Sequence, residues 1–174
     1  MSTRNRTISM VSCGLFVASI SAMHLVATGP LAASATHRAP LACTLLTAAD
    51  ATTALEVPSQ PGRVLVDSTT CVWSGDQAAS DSSRRVTLVT HSLRAFGYAM
   101  HPAITTIKIE PLSGIGDEAF YQVYPNDQSP FVWVRKGNTV FDIRILTRMK
   151  PKPFTIDQEK SKEAVLAKAA AARL

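Results

Sequence analysis

The chain has 174 residues, of which 46% are hydrophobic, 18% charged and 6% aromatic, and it carries a formal net charge of +5. These proportions exclude collagenous, coiled-coil and acidic disordered proteins, and the length suits about one domain. Arg4 and Arg6 precede a mostly apolar run over residues 8–27, and Gly29-Pro30 and then Ala33-Ser34-Ala35 follow it. A basic start, an apolar stretch and small residues at a cleavage position read as a secretory signal over residues 1–35. Ser9, Ser12, Ser19, Ser21 and His24 dilute the run below the clean apolar length of a retained transmembrane span. A lipid anchor is disfavoured, because Cys13 lies early in the apolar run and Cys43 follows Pro40-Leu41-Ala42.

Cleavage after Ala35 takes two of the 18 Lys and Arg residues and none of the 13 Asp and Glu residues, which lowers the net charge to +3. That balance, with export, argues against a nucleic-acid partner. Cys13 leaves with the signal, so Cys43 and Cys71 remain. An even pair in an oxidising compartment favours one disulfide. The rival is a redox or metal pair, for which neither a CxxC nor a histidine at ligand spacing is present. Closing a loop of about 29 residues stabilises the fold by roughly 3.5 kcal/mol in the chain-entropy model.

Residues 36–42 read as a short arm, and residues 43–174 as a single α+β domain. Thr47-Ala48-Ala49-Asp50 fits a capping box that opens a short helix to about Glu56, ended by Pro58 and Pro61-Gly62. Residues 64–66 and 71–73 read as short strands, with Trp73 buried, and residues 75–84 as a polar loop. Residues 85–91 alternate and are β-branched, which predicts a strand. Residues 93–100 read as a helix closed by Pro102, residues 111–117 as a loop, and residues 118–124 as a strand. Residues 131–146 form a hairpin around Gly137-Asn138, which suits a two-residue turn with positive φ. That turn pairs Lys136 with Thr139, Val134 with Phe141 and Val132 with Ile143, so the four apolar residues share a core-facing side. Phe131, Trp133, Arg135, Val140, Asp142 and Arg144 take the other side. A second capping box, Thr155 to Gln158, opens a closing helix whose apolar stripe is Val165, Leu166, Ala169 and Ala172. The order of elements predicts a largely antiparallel β-sheet with N-terminal, middle and C-terminal helices packed on it.

Cys43-Thr44-Leu45-Leu46-Thr47, Cys71-Val72-Trp73, Gly114-Ile115-Gly116-Asp117-Glu118-Ala119 and an alanine-rich last helix occur in that order. Together they resemble a group of small exported or lipoprotein-type bacterial domains of unknown function, over roughly residues 43–174. The resemblance implies a PsbP/Mog1-like α/β sandwich and a disulfide between Cys43 and Cys71. It implies no catalytic residues. No cofactor is expected.

Candidate chemistry is sparse. Gly114-x-Gly116 would cradle an anion only if it opened a helix, and the strand that follows makes it a structural turn. Asp117 and Glu118 are adjacent on a strand, so they are poorly placed to share a proton and read as solvated loop charges. His91 and His101 flank the middle helix without an HExxH or GxSxG frame. Phe131, Trp133, Arg135 and Arg144 form a basic, aromatic sheet face, with a cation–π contact expected between Trp133 and Arg144. Lys136, Arg148, Lys150 and Lys152 add positive charge nearby.

The first functional reading is an exported, non-catalytic binding domain. Its partner would be an anionic envelope component or another envelope protein, held on Phe131, Trp133, Arg135 and Arg144. The alternative is a small secreted hydrolase or metal-dependent enzyme using His91 and His101 with Glu110 or Asp117, which requires those side chains to converge. A structural accessory protein without a ligand is the third.

Overall fold

The computed structural model describes residues 42–65, 68–75, 84–125, 128–147 and 152–174, all within one unit spanning His37–Leu174. The expected signal, most of the arm and most of the polar loop after Gly75 lie outside these residues.

After a 3-10 turn at Ala42–Thr44 come α1 (Ala48–Leu55), β1 (Arg63–Leu65), β2 (Thr70–Ser74), β3 (Arg84–His91), α2 (Leu93–Met100), β4 (Lys108–Leu112), β5 (Glu118–Val123), β6 (Phe131–Lys136), β7 (Thr139–Thr147) and α3 (Ile156–Ala172). The seven strands make one antiparallel sheet in the order β1-β2-β3-β7-β6-β5-β4. This is the α+β fold expected from the element order. β4 is the strand the sequence does not announce. Pro111 lies inside it, and an edge position tolerates the missing backbone donor.

Both capping boxes form. The Thr47 and Thr155 side chains accept from the backbone N–H of Asp50 and Gln158, and those two side chains accept from the threonine N–H groups in return. The β6–β7 register pairs Lys136 with Thr139, Val134 with Phe141 and Val132 with Ile143, as the turn requires. Their apolar side faces α1 and α3, where Val132, Val134, Phe141, Ile143 and Ile145 are wholly buried with Trp73, Val86 and Leu88. Cys43 and Cys71 are joined by a disulfide, with Cα atoms 5.1 Å apart. It ties the start of the domain to β2, where Cys71 is buried in the core.

The stripe expected on α3 is rotated. Val165 is 64% exposed and Ala172 is exposed, whereas Glu159, Glu163, Leu166, Ala167, Ala170 and Ala171 are buried. Of the expected stripe, Leu166 is buried and Ala169 packs partly against the core, while Val165 and Ala172 face out, because the buried side begins with two glutamates that apolar spacing does not register. Polar ties hold the helix in this rotation. Lys136 Nζ donates to Ala171 O at 2.7 Å, the Tyr121 hydroxyl to Lys160 O at 2.6 Å, and Arg173 to Leu45 O at 2.8 Å.

On the opposite side of the sheet α2 packs over β5, β6 and β7. A smaller core forms there from Phe96, Ala99, Phe120 and Val140, with Trp133 and Ile109 against its rim. The candidate site lies on this second side.

Candidate functional site

Strand alternation sends Phe131, Trp133 and Arg135 of β6, Asp142 and Arg144 of β7, and Val89 and His91 of β3 to the α2 side. All seven except Asp142 are partly exposed. The face expected from the hairpin therefore exists, but its four residues divide into three environments.

Arg144 and Phe131 form the first. The Arg144 guanidinium lies 4.3 Å from the Phe131 ring centroid, and the Tyr124 ring packs against Phe131 at 5.5 Å. The expected cation–π contact is thus made with Phe131 instead of Trp133. Among the described residues Arg144 forms no ion pair, and its buried Nε has no hydrogen-bond partner. Burial lowers its pKa from the usual guanidinium range, while Glu163, Tyr124, Asp142 and Glu159 pull it back up.

Trp133 belongs to a second cluster. Its ring stacks on His91 at 4.6 Å and on Phe120 at 6.4 Å, under the edge of α2. His91 Nε2 is hydrogen-bonded to Asp142 Oδ2. Asp142 is only 4% exposed. Burial pushes its carboxyl above the ordinary value, while the His91 bond and the Arg144 charge act against that. The two partners are 51 positions apart in the chain. They meet because β3 pairs with β7, which sets His91 opposite Val140 and diagonal to Asp142. No short-range motif carries that information.

Arg135 occupies the third environment. It approaches Asp117 at 3.6 Å and Glu118 at 3.3 Å, so its charge is offset locally. Asp117 and Glu118 are correspondingly more than solvated loop charges. The Asp117 carboxylate accepts from Gly137 N at 2.7 Å, bracing the β6–β7 turn, and Asp117 N donates to Arg135 O at 2.8 Å. Gly116 has φ +61°, and a Cβ there would lie 2.5 Å from Arg135 O. The Gly-Ile-Gly-Asp-Glu run thus fastens a loop against β6.

The residues of the hydrolase alternative are scattered. Glu110 lies on the α3 side of the sheet and pairs with Lys160 at 2.7 Å. Asp117 is held by Arg135 and Gly137, and the exposed His101 caps the end of α2. Of the two described histidines, His91 has a carboxylate beside it, and that carboxylate is Asp142. Ser92 accepts from Ala95 N and caps α2, so its hydroxyl is engaged. Among the described residues no three His, Cys, Asp or Glu side chains group as metal ligands, and no helix is long and apolar enough to cross a membrane. Compared with known proteins, the chain matches no family model, no curated protein and no solved structure.

Proposed function

We propose that the chain is an exported bacterial domain of the PsbP/Mog1-like kind that binds an anionic envelope component, without catalysis, on the α2 side of its sheet. The observation that carries this reading is the Arg144–Phe131 stack. A guanidinium held on an aromatic ring, without an ion-pair partner among the described residues, is a pre-oriented anion donor. Trp133 and His91 extend that surface with flat, partly exposed rings. Arg135 sets the edge of the site instead of its centre, because two carboxylates already attend it. The Cys43–Cys71 disulfide is compatible with an oxidising compartment.

Titration with inorganic polyphosphate, a soluble stand-in for an anionic envelope polymer, tests the assignment. Arg144→Gln removes the charge without adding an acid beside Asp142. It weakens binding at low salt by about tenfold, the equivalent of one charge-assisted contact. Lys168→Glu, an exposed change on α3, does not. Equal losses in the two variants reduce the effect to bulk charge and refute the site.

Hydrolysis by the His91–Asp142 pair is a second reading, favoured by their hydrogen bond alone. It needs a nucleophile in reach of His91. Turnover of an activated ester by the native chain that disappears in His91→Ala would support it.

A further inference from the structure

Glu159 and Glu163 are the most anomalous side chains in the domain. Both are 0% exposed. They sit one helical turn apart on the side of α3 that packs on β6 and β7. Glu163 Oε1 accepts from Ile145 N at 2.9 Å, a backbone donor of β7 beyond the last residue that β6 pairs. Glu163 Oε2 and both Glu159 oxygens make no hydrogen bond of normal geometry, although the Ser129 hydroxyl interacts with the Glu159 carboxyl. An ionised carboxylate in that condition is strongly disfavoured, whereas a protonated one is a small polar group that packs.

Charges of both signs lie nearby. β7 brings the Arg144 cation and the Asp142 carboxyl, and Lys152 approaches from the segment before α3. Ser129, before β6, places its hydroxyl near Glu159, and Tyr121 of β5 lies close to Glu163. The Tyr121 pKa is pushed up to about 12, by burial first and then by Glu163 and Glu110, so this ring stays neutral. Burial drives both glutamates above the ordinary carboxylate value. For Glu163 the charges of Glu159 and Asp142 add to that, and the Ile145 bond and Arg144 oppose it.

We propose that Glu159 and Glu163 form a proton-operated latch between α3 and the sheet, closed while the pair retains a proton and released when both carboxyls ionise. The Ile145 amide is the catch. Glu163 accepts from it while the pair retains a proton, and a second negative charge on Glu159 beside an ionised Glu163 breaks that hold.

The direction of the pH effect follows from linkage. In the unfolded chain both groups ionise in the ordinary range near 4.5, and in the folded chain they ionise above it. Above that range the folded state therefore holds more protons. The stabilisation is fully present at acid pH and is lost as pH rises through the folded values. An exported domain would then hold α3 firmly in an acidic setting and loosen it in an alkaline one.

Hydrogen exchange over Ile156–Ala172 in the disulfide-bonded chain, from about pH 5 to about pH 8, tests this. Glu159→Gln serves as the reference at each pH, because it is neutral and nearly the same shape. Glu163→Gln is the second variant, since its side-chain carbonyl still accepts from Ile145. The native chain and both variants are expected to coincide at the acid end. Toward the alkaline end native protection falls below theirs, by up to about tenfold per pH unit for one linked proton. Parallel behaviour of all three across the range overturns the proposal. So does a calcium-dependent gain in native α3 protection near pH 8 that is lost in Glu159→Gln, because the pair would then hold a cation.

Discussion

Gly116→Ala and Gly114→Ala make a matched test of why the loop before β5 is built as it is. Both glycines have positive φ, +61° and +80°, so each alanine incurs left-handed strain of about 1–2 kcal/mol. Their surroundings differ sharply. A Cβ on Gly114 meets nothing within 4 Å, whereas one on Gly116 lies 2.5 Å from Arg135 O and 2.9 Å from Val134 Cγ1. The first of these atoms is strand backbone, so β6 itself has to move. That displacement adds overpacking of about 1–3 kcal/mol. It also strains the Asp117 N bond to Arg135 O, worth about 1 kcal/mol. Gly116→Ala is therefore expected to lose about 3–6 kcal/mol, and Gly114→Ala about 1–2 kcal/mol. Urea unfolding followed by tryptophan fluorescence measures the difference as a shift in midpoint at constant slope. Equal shifts in the two variants would refute the close-approach argument.

Three further outcomes are expected. Replacing Cys43 and Cys71 together by alanine removes a cross-link between residues 28 apart and lowers stability by about 3.5 kcal/mol, a drop of roughly 12 °C in Tm by calorimetry. A Tm within about 3 °C of the native value would show that the bond contributes little. His91→Phe strands the buried Asp142 carboxyl and destabilises by about 3 kcal/mol at neutral pH, and His91→Phe combined with Asp142→Val recovers much of that. Thermal melts of His91→Phe, Asp142→Val and the double variant check it, and an additive double variant would show that the pair is not coupled. Thr155→Ala removes one half of a capping box and lowers stability by about 1 kcal/mol, measured by chemical denaturation; no change would mean that tertiary contacts alone hold the start of α3.

The corrections share one cause. Phe131, Trp133, Arg135 and Arg144 were legible as one face, because alternation along a strand is local and the turn at Gly137-Asn138 fixes its phase. Their division was not legible. Arg135 is drawn to Asp117 and Glu118 by β5, Trp133 to His91 and Phe120 by β3 and β5, and Arg144 is left to Phe131. Those partners arrive by strand pairing between positions 13 to 42 residues apart.

Local chemistry in the chain determined the two capping boxes, the hairpin register and the helix at Leu93–Met100, because each depends on neighbours within a few positions. Cysteine arithmetic pointed to the disulfide. The tertiary structure alone decided that β4 pairs at the sheet edge, that His91 meets Asp142, and that α3 turns Glu159 and Glu163 inward. The physical reason is clearest at α3. Most of its apolar positions are small alanines, and Leu166 is the one larger apolar side chain of the helix that is buried, so apolar burial by itself dictates the rotation only weakly. The rotation is chosen by what the sheet offers: the Ile145 amide to Glu163, Lys136 to Ala171 and Tyr121 to Lys160.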